Sequence, residues 1–147
     1  MNDILACIGN TSLVPLRNIT PASGARILVK LESENPTGSM KDRMALAMIE
    51  AAEADGRLPS RGPVVEYTGG STGVSLSLIC AVKRHPLHIV TSDAFAPEKL
   101  DHMQFLGAQL QLIRSESGGM TAKLTRDMIE AARVIAEEKR ARTGPIR

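Results

Sequence analysis

Short apolar runs alternate with helix-like segments along most of the chain, and this alternation is the feature that most limits its fold. Strands are predicted at 64–67, 87–91 and 109–113, after two shorter ones at 13–16 and 27–31 that flank a turn at 18–24. Helices are predicted at 40–54, 74–83, 97–106 and 121–139. Such alternation is typical of βαβ units. It predicts an α/β fold in which a three-layer parallel sheet carries helices on both faces.

Two of the predicted helices carry an apolar stripe that should face the core. In the first helix the stripe consists of Met44, Ala47, Met48 and Ala51. In the last helix it consists of Leu124, Met128, Ala131 and Ile135. The helix at 74–83 is apolar almost all round, so we expect it to be buried.

The stretch 35–43, N-P-T-G-S-M-K-D-R, places a lysine in the first turn of a predicted helix. A proline and a glycine mark a turn, Ser39 is a good N-cap, and Asp42 follows three residues later, as in a capping box. Lys41 therefore lies at the positive end of the helix dipole, which disfavours a cation and relatively favours an uncharged amine. A Schiff-base nucleophile needs that form, so Lys41 is a candidate catalytic residue; a solvated surface lysine is the commoner alternative.

The loop from Thr68 to Gly73, T-G-G-S-T-G, lies between a predicted strand and the next helix. Its glycines let the backbone approach a ligand, its amides open a helix, and Thr68, Ser71 and Thr72 add hydroxyl groups. The pattern predicts an anion site, with a simple capping turn as the alternative. It is neither a P-loop nor a G-x-G-x-x-G fingerprint. Ligands of parallel sheets bind at the carboxyl ends of strands, where this loop is expected to lie.

Composition argues against several functional classes. The net charge is only +2, far from the clustered basic surface that binds a nucleic-acid backbone. The aromatic residues are one tyrosine and two phenylalanines, too few for base stacking. No apolar run has the roughly 20 residues of a membrane span, and the start lacks a basic segment followed by an apolar one. We therefore expect a cytoplasmic protein with neither a nucleic-acid nor a membrane partner.

The remaining polar residues favour structural roles. The three histidines, His85, His88 and His102, lack metal-ligand spacing with cysteines or acids, so no metal site is expected. Cys80 lies in an apolar helix and is predicted to be a free buried thiol. Asp42 and Arg43 are interpreted as a helix cap and a surface or interdomain ion pair.

Two motifs resemble the pyridoxal-phosphate enzymes of the cysteine synthase and cystathionine β-synthase family. They are K-L-E-S-E-N-P-T-G-S-M-K-D-R at 30–43, which is highly specific, and T-G-G-S-T-G at 68–73. The segments at 8–16 and 93–110 are also similar to that family. The resemblance runs from Ile8 to Gly144 and covers about half of the family's usual length.

The resemblance implies a role for each motif. Lys41 would be the catalytic residue that holds pyridoxal 5'-phosphate covalently and later moves the substrate's α-proton. Thr68, Gly69 and Thr72 would grip the substrate carboxylate. Ser71 would contact the cofactor where the commoner T-S-G-N-T form has asparagine. The implied reaction is β-replacement in cysteine biosynthesis, in which an activated serine gives an aminoacrylate and a sulfur nucleophile adds to it.

The resemblance also implies a domain organisation. Residues 1–34 would be leading strands that pack on a large domain, and residues 35–147 would form the small α/β domain. The family's phosphate-binding glycine-rich loop and the residue at its pyridine nitrogen belong to the second half, and the ending at 141–147 departs from the family pattern. We therefore expect a truncated chain with exposed strand edges that favour self-association, and both activity and inactivity without the second half stay open. A homodimer is expected by resemblance alone.

Alternatives stay open at this point. One is a serine or threonine dehydratase-like lyase that uses the same cofactor, although the K-D-R sequence and the T-G-G-S-T loop favour the sulfhydrylase branch. Another is a non-catalytic fragment that binds amino acids or anions. The third is an unrelated α/β phosphate-binding domain that would take nucleotides at 68–73.

Overall fold

The computed structural model describes residues 3–18 and 23–143 of the chain. The strands are β1 Leu13–Pro15, β2 Leu28–Lys30, β3 Val64–Tyr67, β4 Leu87–Ser92 and β5 Gln109–Ile113. The helices are α1 Lys41–Ala54, α2 Ser71–Lys83, α3 Pro97–Phe105 and α4 Ala122–Thr143. Every predicted element is present, and α4 continues past the predicted end. Parts of the predicted turn at 18–24 and of the ending at 141–147 lie outside the described residues.

Strands β3, β4 and β5 form a parallel sheet in that order. Helices α2 and α3 pack on one face of the sheet, with α1 against α2, and α4 packs on the other face. This arrangement confirms the predicted three-layer α/β fold. Strands β1 and β2 form a separate antiparallel pair. The division into residues 1–34 and 35–147 stays a prediction.

The central strand β4 separates two apolar clusters. Ile89 is fully buried in the larger cluster with α2, and Val90 is fully buried in the smaller one with α4. Successive side chains of a strand point to opposite faces, so β4 supplies both sides of the core. Packing on both faces of the sheet therefore holds the carboxyl ends of β3 and β4 in place, and residues 68–70 and 93–96 follow these ends.

Two helix predictions are confirmed and one is wrong. Helix α2 is buried along most of its length, and Leu124 and Met128 of α4 face the core. The stripe predicted for α1 does not face the core, because Met44 and Met48 are 36% and 48% exposed and Ala47 and Ala51 are exposed as well. The buried face of α1 instead consists of Asp42, Ala45 and Ile49.

Exposed apolar side chains and an open strand edge are both present, as expected. In the β1–β2 pair, Leu13 is 57% and Leu28 is 40% exposed. Strand β3 is at the edge of the three-stranded sheet. Self-association through such surfaces stays a prediction.

Neither cysteine is in a disulfide. Cys80 is buried, and burial raises the pKa of its thiol to about 12, so the prediction of a free buried thiol is confirmed. Cys7 is exposed. Within 3–18 and 23–143, no helix is long and apolar enough to cross a membrane.

Candidate functional site

A tight turn delivers Lys41 to the start of α1. The amide of Gly38 donates to the carbonyl of Asn35 at 2.7 Å, and Gly38 has a φ of +74°, which favours glycine. Helix α1 then begins at Lys41, with Met40 in the N-cap position. The turn predicted from the proline and glycine is therefore present.

The predicted capping box is wrong. Ser39 Oγ accepts a hydrogen bond from the amide of Lys41 at 3.1 Å, one residue into the helix, and no side chain caps α1. The carboxylate of Asp42 bonds elsewhere, because better donors lie on the preceding turn and on α2. Asp42 is therefore not a helix cap.

The carboxylate of Asp42 is fully buried and hydrogen-bonded. It accepts from the amide of Thr37 at 2.8 Å, from the hydroxyl of Thr37, and from the hydroxyl of Ser75 on α2 at 2.5 Å. These bonds join the turn, the start of α1 and the first part of α2. A buried carboxylate without such donors would be strongly unfavourable.

A second polar network ties the start of the chain to the same turn. Glu32 receives two hydrogen bonds of 3.1 Å from Arg43 and one of 2.8 Å from Asn35. The Arg43 guanidinium is the main cause that lowers the pKa of Glu32 to about 2. Asn35 also accepts from the amide of Gly9 at 2.9 Å. The ion pair predicted for Arg43 is present, and its partner lies in the segment just before the turn.

The motif at 68–73 is a loop only at 68–70, between the end of β3 and α2, because α2 begins at Ser71 rather than at the predicted residue 74. Its last three residues form the first turn of the helix. The amide of Thr68 donates to the carbonyl of Val90, which continues the ladder with β4. No side chain caps α2, and in the described part of the chain the amides of Ser71 and Thr72 make no hydrogen bond. First-turn amides have no acceptor within their own helix, so both are available to an anion.

The ring of Phe95 covers one side of this loop. A Cβ atom placed on Gly69 would lie 1.9 Å from two ring carbons of Phe95, so position 69 must be glycine for the ring to stay where it is. A Cβ on Gly70 would meet nothing within 4 Å. The loop is thus closed on its Gly69 side and open at Gly70.

Thr91 adds a buried hydroxyl at the carboxyl end of β4. Its side chain is fully buried and, among the described residues, its Oγ1 has no hydrogen-bond partner. Tyr67 pairs in register with Val90, so Thr91 lies beside Thr68 at the start of the loop. A buried hydroxyl without a protein partner has hydrogen-bonding capacity left for another polar group, and that of Thr91 lies at the end of the sheet where ligands bind.

The structure brings the predicted residues to one end of the α1–α2 pair. Thr68, Gly69, Ser71 and Thr72 are contiguous there, and the turn that carries Lys41 is held to α2 through Ser75. Lys41 is half-buried, and within the described chain its amine makes no hydrogen bond or ion pair. It makes no direct bond to the loop.

The histidines do not form a metal site. Within the part of the chain that the structure describes, no three His, Cys, Asp or Glu residues are placed to hold a metal ion. His85 is buried between the carboxylate of Glu53 and the carbonyl of Gly62, each 2.9 Å from a ring nitrogen. This contact fastens the end of α1 to the 59–62 loop and is structural.

Comparisons with known proteins agree with this architecture. A model of the family described as pyridoxal-phosphate dependent enzyme matches residues 4–145. The chain belongs to this family. The match covers both motifs, so the resemblance read from 30–43 and 68–73 is confirmed and the family's cofactor is pyridoxal phosphate.

Similar proteins include cysteine synthases. The chain is 41% identical to cysteine synthase B of Salmonella typhimurium over 118 residues, which are 80% of this chain and 39% of that protein. It is 42% identical to a cysteine synthase of a Flavobacterium species over 134 residues, 91% of this chain and 41% of that protein. The crystal structure of a cysteine synthase from Entamoeba histolytica superposes with a TM-score of 0.81 at 33% identity, covering 94% of this chain and 40% of that one. The chain therefore spans about two fifths of the length of these relatives.

The residues present fit part of a pyridoxal-phosphate site. They supply a half-buried lysine and two helix-start amides, none of which has a partner among the described residues, and the hydroxyls of residues 68–73. The lysine amine can react with the carbonyl carbon of the cofactor. The amides and hydroxyls can donate hydrogen bonds to oxygen anions.

Sequence reasoning missed two features of the site. One is the burial of Asp42, which was interpreted as a cap; the other is the ring of Phe95 against Gly69. A signal for the first exists in α2, where Ser75 interrupts an apolar helix and must find a hydrogen-bond partner. No local pattern signals the second, because residues 69 and 95 meet only in the folded chain.

Proposed function

We propose that the chain carries the cofactor lysine and the carboxylate loop of a pyridoxal-phosphate dependent β-replacement enzyme of cysteine biosynthesis. The observation that supports this most directly is that both motifs open helices that pack against each other, α1 with Lys41 and α2 with Ser71. The cysteine synthase names of the relatives support the reaction class. The substrate is then an amino acid with an activated β-substituent, and the second substrate is a sulfur nucleophile.

Lys41 is the proposed catalytic residue. Its Nζ would hold the cofactor and, once released, take the α-proton of the substrate. Bound there, pyridoxal phosphate supplies an electron sink for the charge left on the α-carbon. Ser71 would help to hold the cofactor, since its hydroxyl can donate or accept a hydrogen bond at the start of α2.

The 68–73 loop is the proposed binding site for the substrate carboxylate. Thr72 would donate its free amide, and the hydroxyls of Thr68 and Thr72 would complete the set of donors. Because Gly69 has no side chain, the backbone can lie directly against the ring of Phe95. Such a carboxylate clamp would orient the α-carbon toward Lys41 and favour substrates that carry a carboxylate beside it.

The first test is selective modification of Lys41. The purified chain is incubated with pyridoxal phosphate, reduced with borohydride, and examined by intact and peptide mass spectrometry. We expect a single adduct on Lys41 that is lost in Lys41→Ala and kept in Lys99→Ala. Lys99 is the control because it is exposed and, among the described residues, also has no ion-pair partner. Equal labelling of Lys41 and Lys99 would contradict the proposal.

A second test addresses the reaction. Chain loaded with cofactor is mixed with O-acetylserine and sulfide, and cysteine and keto acid are both measured. Cysteine that depends on Lys41 would support β-replacement. A parallel reaction contains serine or threonine in place of O-acetylserine and sulfide, and keto acid formed there would instead indicate a dehydratase. Binding of O-acetylserine that weakens in Thr72→Ala, without either product, would indicate an amino-acid-binding fragment.

A further inference from the structure

The buried carboxylate of Asp42 lies immediately after Lys41 and, within residues 3–18 and 23–143, contacts no cationic side chain. It is 0% exposed, and it accepts hydrogen bonds from the amide and hydroxyl of Thr37 and from the hydroxyl of Ser75. A carboxylate excluded from water is retained only where donors hold it in a fixed geometry. The position of Asp42 is therefore closely determined by the turn and by α2.

The partners of Asp42 belong to both sides of the proposed site. Thr37 lies on the turn that precedes Lys41, and Ser75 lies on α2. The two hydroxyls are also 3.3 Å apart, so the three side chains form a closed cluster. Any shift of the lysine turn relative to α2 would have to break at least one of these contacts.

Ser75 transmits this constraint to the loop. Residues four apart on a helix share a face, so Ser75 lies directly below Ser71, the first residue of α2. The face of α2 that holds Asp42 is thus the face that carries Ser71 at its open end. The cluster fixes the distance between the start of α1 and the start of α2.

We propose that Asp42 is a positioning residue: held by Thr37 and Ser75, it sets where the amine of Lys41 stands relative to the amides that open α2. This inference rests on the proposed function, in which Lys41 carries the cofactor. Asp42 touches neither substrate nor cofactor. Its effect is to hold the amine of Lys41 near the start of α2, so that the cofactor reacts with Lys41 rather than with other lysines.

The experiment compares Ser75→Ala with the wild-type chain. Ser75→Ala removes both contacts of the Ser75 hydroxyl, the bond to Asp42 and the 3.3 Å contact with Thr37, and leaves the two bonds from Thr37 to Asp42. The first readout is the ratio of reduced pyridoxal-phosphate adduct on Lys41 to that on Lys99. We expect this ratio to fall about tenfold in Ser75→Ala, the change that losing one hydrogen bond to a charged group allows.

The second readout needs no cofactor. Trace acylation with acetic anhydride across a pH series reports the reactivity of Lys41 relative to Lys99. We expect the pH profile of Lys41 to shift in Ser75→Ala and to stay unchanged in Asp101→Asn, a control on the exposed side of α3. A general loss of packing would alter both lysines together and would show in circular dichroism.

The outcomes separate the two proposals. If Lys41 is labelled selectively in the wild-type chain and equally selectively in folded Ser75→Ala, the positioning role is overturned. The proposed function is then still supported. Scattered labelling in the wild-type chain contradicts the proposed function, and the acylation profile then decides the positioning role alone. If Ser75→Ala does not fold, Thr37→Val and Thr37→Ser replace it. Serine keeps the hydroxyl and should retain the wild-type profile, and equal profiles for valine and serine would overturn the inference.

Discussion

The contact between Gly69 and Phe95 gives a prediction whose size follows from the geometry. In Gly69→Ala the new Cβ would lie 1.9 Å from the ring, whereas ordinary contacts begin at 3.4 Å, so the ring must retreat by about 1.5 Å. Phe95 packs against the cluster formed with α4 and is not free to move outward. Overpacking of this kind costs about 2 kcal/mol, which corresponds to a melting temperature lower by about 4–8 °C for a chain of this size.

A neighbouring glycine provides the control. A Cβ on Gly70 meets nothing, and its φ of −121° suits any residue. Alanine is a poorer N-cap than glycine but lowers the entropy of the unfolded chain, so Gly70→Ala should change stability by less than about 0.5 kcal/mol. Thermal and urea unfolding followed by circular dichroism measure both variants under the same conditions.

A double-mutant cycle identifies the cause. In a Phe95→Ala background the clash is gone, so adding Gly69→Ala should cost close to nothing and the coupling free energy should be about 2 kcal/mol. The reasoning is refuted if Gly69→Ala costs no more than Gly70→Ala. It is equally refuted if the cost of Gly69→Ala is unchanged without the ring.

Three further predictions concern single groups. Thr91→Val removes a buried hydroxyl that has no partner among the described residues, so urea unfolding should show a gain of about 1 kcal/mol; a loss would mean that the hydroxyl is hydrogen-bonded. The pKa of Glu32 is lowered from 4.5 to about 2, so its ionised form stabilises the fold fully above pH 4.5 and this contribution disappears as the pH falls toward 2. The stability difference between wild type and Glu32→Gln should therefore shrink over that interval, and a constant difference would contradict the role of the Arg43 contact. Iodoacetamide at neutral pH should label Cys7 alone in the folded chain and both thiols in urea, because Cys80 is buried with a pKa raised to about 12; two labels on folded protein in intact mass spectra would contradict this.

The order of strands and helices could be predicted from sequence because each element carries its own local pattern. Strand β3 and strand β5 have the predicted bounds, and proline opens α3 as predicted. The buried stripe of α4 also follows from spacing alone, since this helix has one apolar face and one neighbouring surface. Local chemistry and tertiary packing agree at these places.

The rotation of α1 could not be predicted in this way, because the helix has two apolar stripes. Met44 and Met48 lie on one, and Ala45 and Ile49 lie on the other. Periodicity gives both stripes the same helical spacing. The structure buries the second, which also carries Asp42.

The choice between these stripes follows from the polar residue rather than from the apolar ones. Turning α1 to bury Met44 and Met48 would move the carboxylate of Asp42 away from Ser75 and leave both without their partner in a buried setting, at a cost of about 1–3 kcal/mol for each group. Burying two flexible methionine side chains would recover an amount of the same order, so area alone does not decide the orientation. Hydrogen bonding of Asp42 decides it. Because Lys41 directly precedes Asp42, the same bonds place Lys41 at the end of the α1–α2 pair where α2 begins.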